Sequence, residues 1–194
     1  MTPTFIRPAI ALALALALAG CGGKASFPIT GTVANLTYGG LVLTTNGMDL
    51  AVAPPATTFT FPNTLSYGDP FAVTVKSSPA HQTCVVAGGG TDSAGRTAAI
   101  NVSVVCGLNS APIGGRISGL TSAGLVLTNG STGGTVAPAA AATAFTLTAV
   151  PFGVSYGVSV LTQPTGNTCS VSANGTGVMG DTAVTNIVVT CGAK

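Results

Sequence analysis

The stretch that decides the fold occurs twice. Residues 30–47 read TGTVANLTYGGLVLTTNG and residues 114–130 read GGRISGLTSAGLVLTNG. Each opens on small residues, places an aliphatic side chain next (Val33, Ile117), passes through Leu-Thr and ends on Gly-Leu-Val-Leu-Thr and Asn-Gly. The match continues with LAVAP (50–54) against GTVAP (134–138) and TFTF (58–61) against AFTL (144–147). It runs on through FAVTV (71–75) and YGVSV (156–160), SPAHQTCVV (78–86) and QPTGNTCSV (163–171), and NVSVVCG (101–107) and NIVVTCG (186–192). The offset stays near 84 to 86 throughout, and a duplication of that length means two copies of one folded module.

Within a copy the pattern is that of strands and turns. In the first, GTVANL, GLVLTT, DLAVA, TFTF, FAVTVKS, TCVVAG and AAINVSVVC are seven apolar or alternating runs. They are separated by Tyr38-Gly39, Asn46-Gly47, Pro54-Pro55, Pro62-Asn63, Pro79 and Gly88-Gly89-Gly90, which are turn formers. Ile100, Val102, Val104 and Cys106 alternate with Asn101, Ser103 and Val105, and period two means one buried face and one wet face. The composition agrees: 46% hydrophobic and only 5% charged residues exclude the charge-rich, apolar-poor profile of a disordered chain. The expected fold is all-β, with two tandem antiparallel β-sandwich modules of immunoglobulin-like or transthyretin-like shape. Module 1 is expected over residues 30–107, a linker over 108–113 and module 2 over 114–194. The absence of tryptophan speaks against a true antibody-type domain.

The cysteines follow the repeat. Cys84 and Cys106 are 22 residues apart, and so are Cys169 and Cys191. Four cysteines allow three connectivities, and duplication selects Cys84–Cys106 and Cys169–Cys191. Closing such a loop stabilises by about 3 kcal/mol in the chain-entropy model, a large contribution for a module with a small core. A zinc site would use the same thiols, but there is no CxxC and only one histidine, His81, so no metal is expected.

The fifth cysteine has a different setting. MTPTFIRPAIALALALALAG (1–20) carries one positive charge, Arg7, then an apolar run from Ala9 to Ala19 and a small-residue end, the layout of a cleaved secretory signal peptide. The run is short for a membrane span, which takes about 20 residues. Leu18-Ala19-Gly20-Cys21 resembles the lipobox of bacterial lipoprotein precursors. The resemblance implies cleavage before Cys21, a diacylglycerol thioether on its sulfur and acylation of the new amino terminus, with palmitate-type chains. Residues 21–29 would then be a lipidated tether, and each buried CH₂ would contribute about 0.8 kcal/mol to membrane attachment. Gly22 stands where an aspartate would argue against it, so the resemblance implies the outer membrane of a bacterial cell envelope. The duplicated block also resembles repeats of bacterial surface and envelope proteins. Module 2 follows their form closely from GGRISGLTSAGLVLTNG to TNIVVTCG, and module 1 departs from it at VKSSPAHQTCVVAGGG.

Chemistry-bearing residues are sparse. There is no glutamate, and Asp49, Asp69, Asp92 and Asp181 are scattered. His81 lies in the turn before Cys84, its counterpart is Gly166, and it reads as a loop histidine. GGGTDSAGR (88–96) lacks the Lys-Ser/Thr ending of a phosphate loop. Asp92 and Ser93 supply too few oxygens for calcium. After processing, five cations face four aspartates for a balance of about +1, which excludes the clustered basic surface that nucleic acid needs. Phe59, Phe61, Phe71, Phe145 and Tyr156 alternate along strands and read as core. Tyr38, Tyr67 and Phe152 fall near turns and are the candidate surface contacts.

The expected function is therefore a non-enzymatic, lipid-anchored envelope protein without a cofactor, held to the membrane by its anchor and meeting a protein or glycan partner. Its role would be structural or adhesive. The alternative is a periplasmic small-ligand-binding or enzyme-accessory lipoprotein with a site between the modules. A spacer predicts a flexible joint, whereas a cleft predicts a fixed one.

Overall fold

The computed structural model describes residues 25–130 and 134–194, and the regular elements in them are all strands. The signal peptide 1–20 and Cys21 lie outside the described residues. Module 1 contains β1 (Ser26–Ala34), β2 (Leu41–Thr45), β3 (Met48–Val52), β4 (Thr58–Ser66), β5 (Pro70–Ala72), β6 (Thr74–Ser77), β7 (Gln82–Gly88), β8 (Thr91–Ser93) and β9 (Ile100–Leu108). Module 2 contains β10 (Ser110–Ser118), β11 (Val126–Asn129), β12 (Gly134–Val136), β13 (Ala144–Pro151), β14 (Ser155–Thr162), β15 (Asn167–Ala173), β16 (Thr176–Val178) and β17 (Val184–Ala193). The run FAVTVKS is split at Val73 into β5 and β6, and Thr91–Ser93 pairs back on β5, which is how seven expected runs become nine strands.

Each module is two layers of sheet around one core. The first layer runs β4-β1-β9-β7 and recurs as β13-β10-β17-β15. The second runs β3-β2-β6 with β5-β8 beside it, and recurs as the single sheet β12-β11-β14-β16. The alternation read from the sequence is the burial observed: along β9, Ile100, Val102, Val104 and Cys106 are buried. Ile29, Leu41, Leu43 and Phe61 belong to the same core, and Ile113, Leu125, Leu127 and Leu147 occupy the equivalent places in module 2. Each such side chain contributes about 1.5–3 kcal/mol by leaving water. Phe59 packs across the strand onto Gly31, with which it is paired, and a side chain at Gly31 would collide with that ring and with the Val102 carbonyl. Phe145 and Gly115 repeat the pairing.

Both disulfides are present as expected, Cys84–Cys106 and Cys169–Cys191. In each, the cysteines sit directly opposite one another, on β7 and β9 and on β15 and β17. The bond therefore pins the edge strand of the first layer to its neighbour and turns both sulfurs into the core.

Two expectations are corrected. The modules are not wholly antiparallel: β1 runs parallel to β9, from Ile29 opposite Ile100 to Ala34 opposite Val105, and β10 runs parallel to β17. Period-two alternation looks the same in either direction, so the residues carry no sign of it. Because the first and last strands of a module point the same way, the chain enters at one pole and leaves at the opposite one. The second correction concerns the linker. Of residues 108–113 only Asn109 lies outside a strand, because β9 stays paired as far as Leu108 and β10 is paired from Ser110. Likewise β1 begins at Ser26, inside the expected tether.

Candidate functional site

The modules meet at a joint built around Asn109. Its backbone N–H donates to the His81 carbonyl at 2.8 Å, and its carbonyl accepts from the Phe152 N–H at 2.8 Å. Its side-chain Oδ1 accepts from the Thr83 hydroxyl at 2.8 Å. One connecting residue is thus bonded to module 1 twice and to module 2 once.

Module 1 presents two rings to this joint, each held by its local backbone. Gln82, 2% exposed, accepts through Oε1 from the N–H groups of Thr37 (2.8 Å) and Tyr38 (3.0 Å) and donates through Nε2 to the Asn35 carbonyl (2.7 Å). That clamp fixes the loop after β1 and with it Tyr38. Asn167 performs the same service in module 2, for Thr121 and Gly119. The second ring is His81, in the turn before β7 with φ 63°. A non-glycine residue there costs about 1 kcal/mol, and module 2 has Gly166 at φ 94° in the same place. The backbone of His81 is therefore held in a conformation suited to glycine so that an imidazole can stand at the pole.

Module 2 answers with Phe152, in the turn between β13 and β14, and Asp181, between β16 and β17. Phe152 stacks on His81 with centroids 3.7 Å apart and planes 8° from parallel. Tyr38 meets both edge-on, at 5.1 Å from His81 and 6.0 Å from Phe152. The Oδ2 of Asp181 lies 2.5 Å from His81 Nδ1. Both side chains are partly exposed, at 32% and 41%, which puts the pair at no more than about 1 kcal/mol. The ring contacts contribute about 0.5–1.5 kcal/mol each beyond the area they bury. What this arrangement does chemically is hold. The ring of His81 has Phe152 on its face, Tyr38 at its edge and Asp181 on Nδ1, and among the described residues no hydroxyl or thiol hydrogen-bonds to it.

Beside the joint runs a shallow groove of about 400 Å³ lined by Asn35, Thr37, Gln82, Leu108, Ser110 and Pro151 among others. Its lining has no titratable side chain. The aspartates of module 1 are occupied at the surface. Asp92 accepts from the Ser93 N–H and then from Arg96, which hold its carboxyl below the usual carboxylate range, and Lys76 does the same for Asp49. Among the described residues no group of three or more metal-ligating side chains comes together.

Of the three candidate contacts, the structure brings Tyr38 and Phe152 together and spends them on each other. Tyr67 stands at the far pole of module 1 and is 76% exposed. Sequence reasoning missed His81 and Asp181 as partners, since they lie 100 residues apart. The available signal was a break in the repeat: Tyr38, His81 and Asp181 align with Ser122, Gly166 and Arg96.

No family model and no curated protein matches this chain. Among solved structures, the TIE protein of Bacillus anthracis aligns at 11% identity with a TM-score of 0.45, over 86% of this chain and 34% of that one. The chain thus spans about a third of the length of that protein. The major pilin protein T-13 of Streptococcus pyogenes serotype GAS131465 aligns at 14% identity with a TM-score of 0.27, over 89% of this chain and 98% of that one. Likeness at this level says nothing of function.

Proposed function

We propose that this chain is a non-enzymatic, lipid-anchored envelope protein whose two modules act as a stiff spacer, with a structural or adhesive duty toward a protein or glycan partner. The observation that carries the reading is the joint. A chain that enters each module at one pole and leaves at the other sets the modules in series, and the ring cluster with Asn109 stops them from swivelling. The flexible joint first expected of a spacer is not what is found, because only one residue is free of strand pairing and that residue is itself bonded. A nine-residue strand rises about 30 Å, so two modules in series separate an anchor from a distal pole by about 60 Å.

The cleft reading requires a site between the modules with groups to hold a ligand; the rings occupy one side of the joint, and the groove beside it is shallow and lined without a titratable side chain. The scarcity of acid and base groups supports the non-enzymatic part: the one histidine is committed to the joint, and the chain holds no glutamate. The test is the distribution of distances between one spin label on each module of the intact chain. A single narrow distribution is expected. A broad one, or one that narrows only when a small molecule is added, would overturn the spacer reading.

A further inference from the structure

Tyr67 is to module 1 what Phe152 is to module 2. Both follow the fourth strand of their module, an edge strand of its first layer, 85 positions apart, in turns closed by matching bonds: the Gly68 N–H donates to the Ala94 carbonyl, and the Gly153 N–H to the Met179 carbonyl. In module 2 this turn docks onto the neighbouring module. In module 1 it faces away from the joint, with the Tyr67 ring laid over Gly95 and its outer side open. The chain arrives at the same pole, since Ser26, the first residue of β1, pairs with Ser66, the residue before Tyr67.

From this placement, and resting on the lipid-anchored reading, we propose that the Tyr67 pole seats on the bilayer, the Tyr67 ring lying at headgroup depth. Cys21 precedes Ser26 by five residues, and five residues reach at most about 18 Å. A further module stacked here, as module 2 stacks on module 1, would need about 30 Å. It does not fit between the pole and the membrane. A second copy of the chain offers no better match, because the pole at which its module 2 ends carries Ser122 and Gly166 where Tyr38 and His81 form the joint. The residue type agrees with a lipid surface: the closed joint uses phenylalanine, and the open pole uses tyrosine, whose apolar ring and polar hydroxyl suit the membrane–water boundary. Charge is balanced rather than attractive. Arg96 pairs with Asp92, and Asp69 accepts from the Ser66 N–H, so the contact sets the tilt of the spacer while the acyl chains hold it.

The chain has no tryptophan, so Tyr67→Trp, at an exposed site, creates a single reporter, and Ala123→Trp at the opposite pole is its control. Each full-length variant is expressed in a bacterium, and the mature protein is weighed by mass spectrometry. It is then reconstituted in phosphatidylcholine vesicles whose acyl chains are brominated near the headgroup. With lipid on Cys21, Tyr67→Trp should shift to the blue and lose most of its emission, and Ala123→Trp should keep its own. If the lipid is present and Tyr67→Trp stays as bright as the control, or both dim equally, the pole does not seat and the proposal falls while the anchor stands. A mature mass without lipid would overturn the anchored reading, and this proposal with it.

Discussion

The two modules share a core and differ at their poles. The order of the first layer, most core positions and the disulfides correspond, down to the glycine paired with each inward phenylalanine and the buried amide before each first cysteine. The pole at which module 1 ends carries Tyr38 and His81, whereas the pole at which module 2 ends carries Ser122 and Gly166. The turn at the start of module 2 carries Phe152 and Asp181, and the equivalent at the start of module 1 carries Tyr67 and Arg96. Packing holds the core of a duplicated module to its pattern. A pole is free to change, and here the changes fall where one module must grip the other and where the first stands at the chain's entry.

The comparison predicts its largest effect where the modules agree. Replacing Cys84 and Cys106 together by alanine should destabilise module 1 by about 3 kcal/mol, and the same change at Cys169 and Cys191 should cost module 2 as much, since both pairs are 22 apart. Calorimetry of the two double variants decides it. Unequal losses would break the equivalence of the modules, and no loss would remove the disulfides from the account of stability. Reduction of both should also promote aggregation, because it frees edge strands that carry exposed apolar side chains such as Val85, 55% exposed, and no charge to oppose pairing.

A smaller and more discriminating effect is expected where the modules differ. Phe152→Ala removes a ring stacked on His81, worth about 1 kcal/mol, while both cores stay closed. The label-to-label distances across the joint should broaden with little change in melting temperature. Tyr67→Ala, at the equivalent place, touches no joint and should leave those distances as they are. If both broadened them, or neither did, the assignment of the joint to its rings would fail.

The corrections follow the same division. Alternation, turn formers and cysteine spacing are local signals, and they were enough for two all-β modules, for the core phenylalanines and for both disulfides. The direction of β1 against β9 is not local, because Ile29 meets Ile100 from across the module and alternates identically whichever way it runs. The linker expected over 108–113 differs for a related reason: LNSAPI has the composition of a loop when its partners are unknown, and all of it but Asn109 is strand once Gln82 and Pro151 lie beside it. His81 looked idle because its partner belongs to the other module. Departure from the repeat was the available clue, and it marks three of the four side chains in the joint.

The smallest expected effect is a difference in acid sensitivity. Asp49 in module 1 is held below the usual carboxylate range first by its hydrogen bond to Lys76, and Asp92 first by the Ser93 N–H and then by Arg96. A carboxyl whose value is depressed on folding contributes stability that is present above its unfolded value and is lost as the pH falls through the folded one. The equivalents of Asp49, Lys76, Asp92 and Arg96 are Gly133, Leu161, Gly177 and Asp181, so module 2 has neither pair. Lowering the pH from neutral through the carboxylate range should therefore weaken module 1 slightly more than module 2. Hydrogen exchange read separately in the two cores measures the difference, and exposure of the pairs keeps it small. Lys76→Met should remove part of the excess by taking away the first cause of the shift at Asp49, the hydrogen bond from Thr44 remaining. A module 2 that lost protection first would place the acid-sensitive contacts elsewhere than at Asp49 and Asp92.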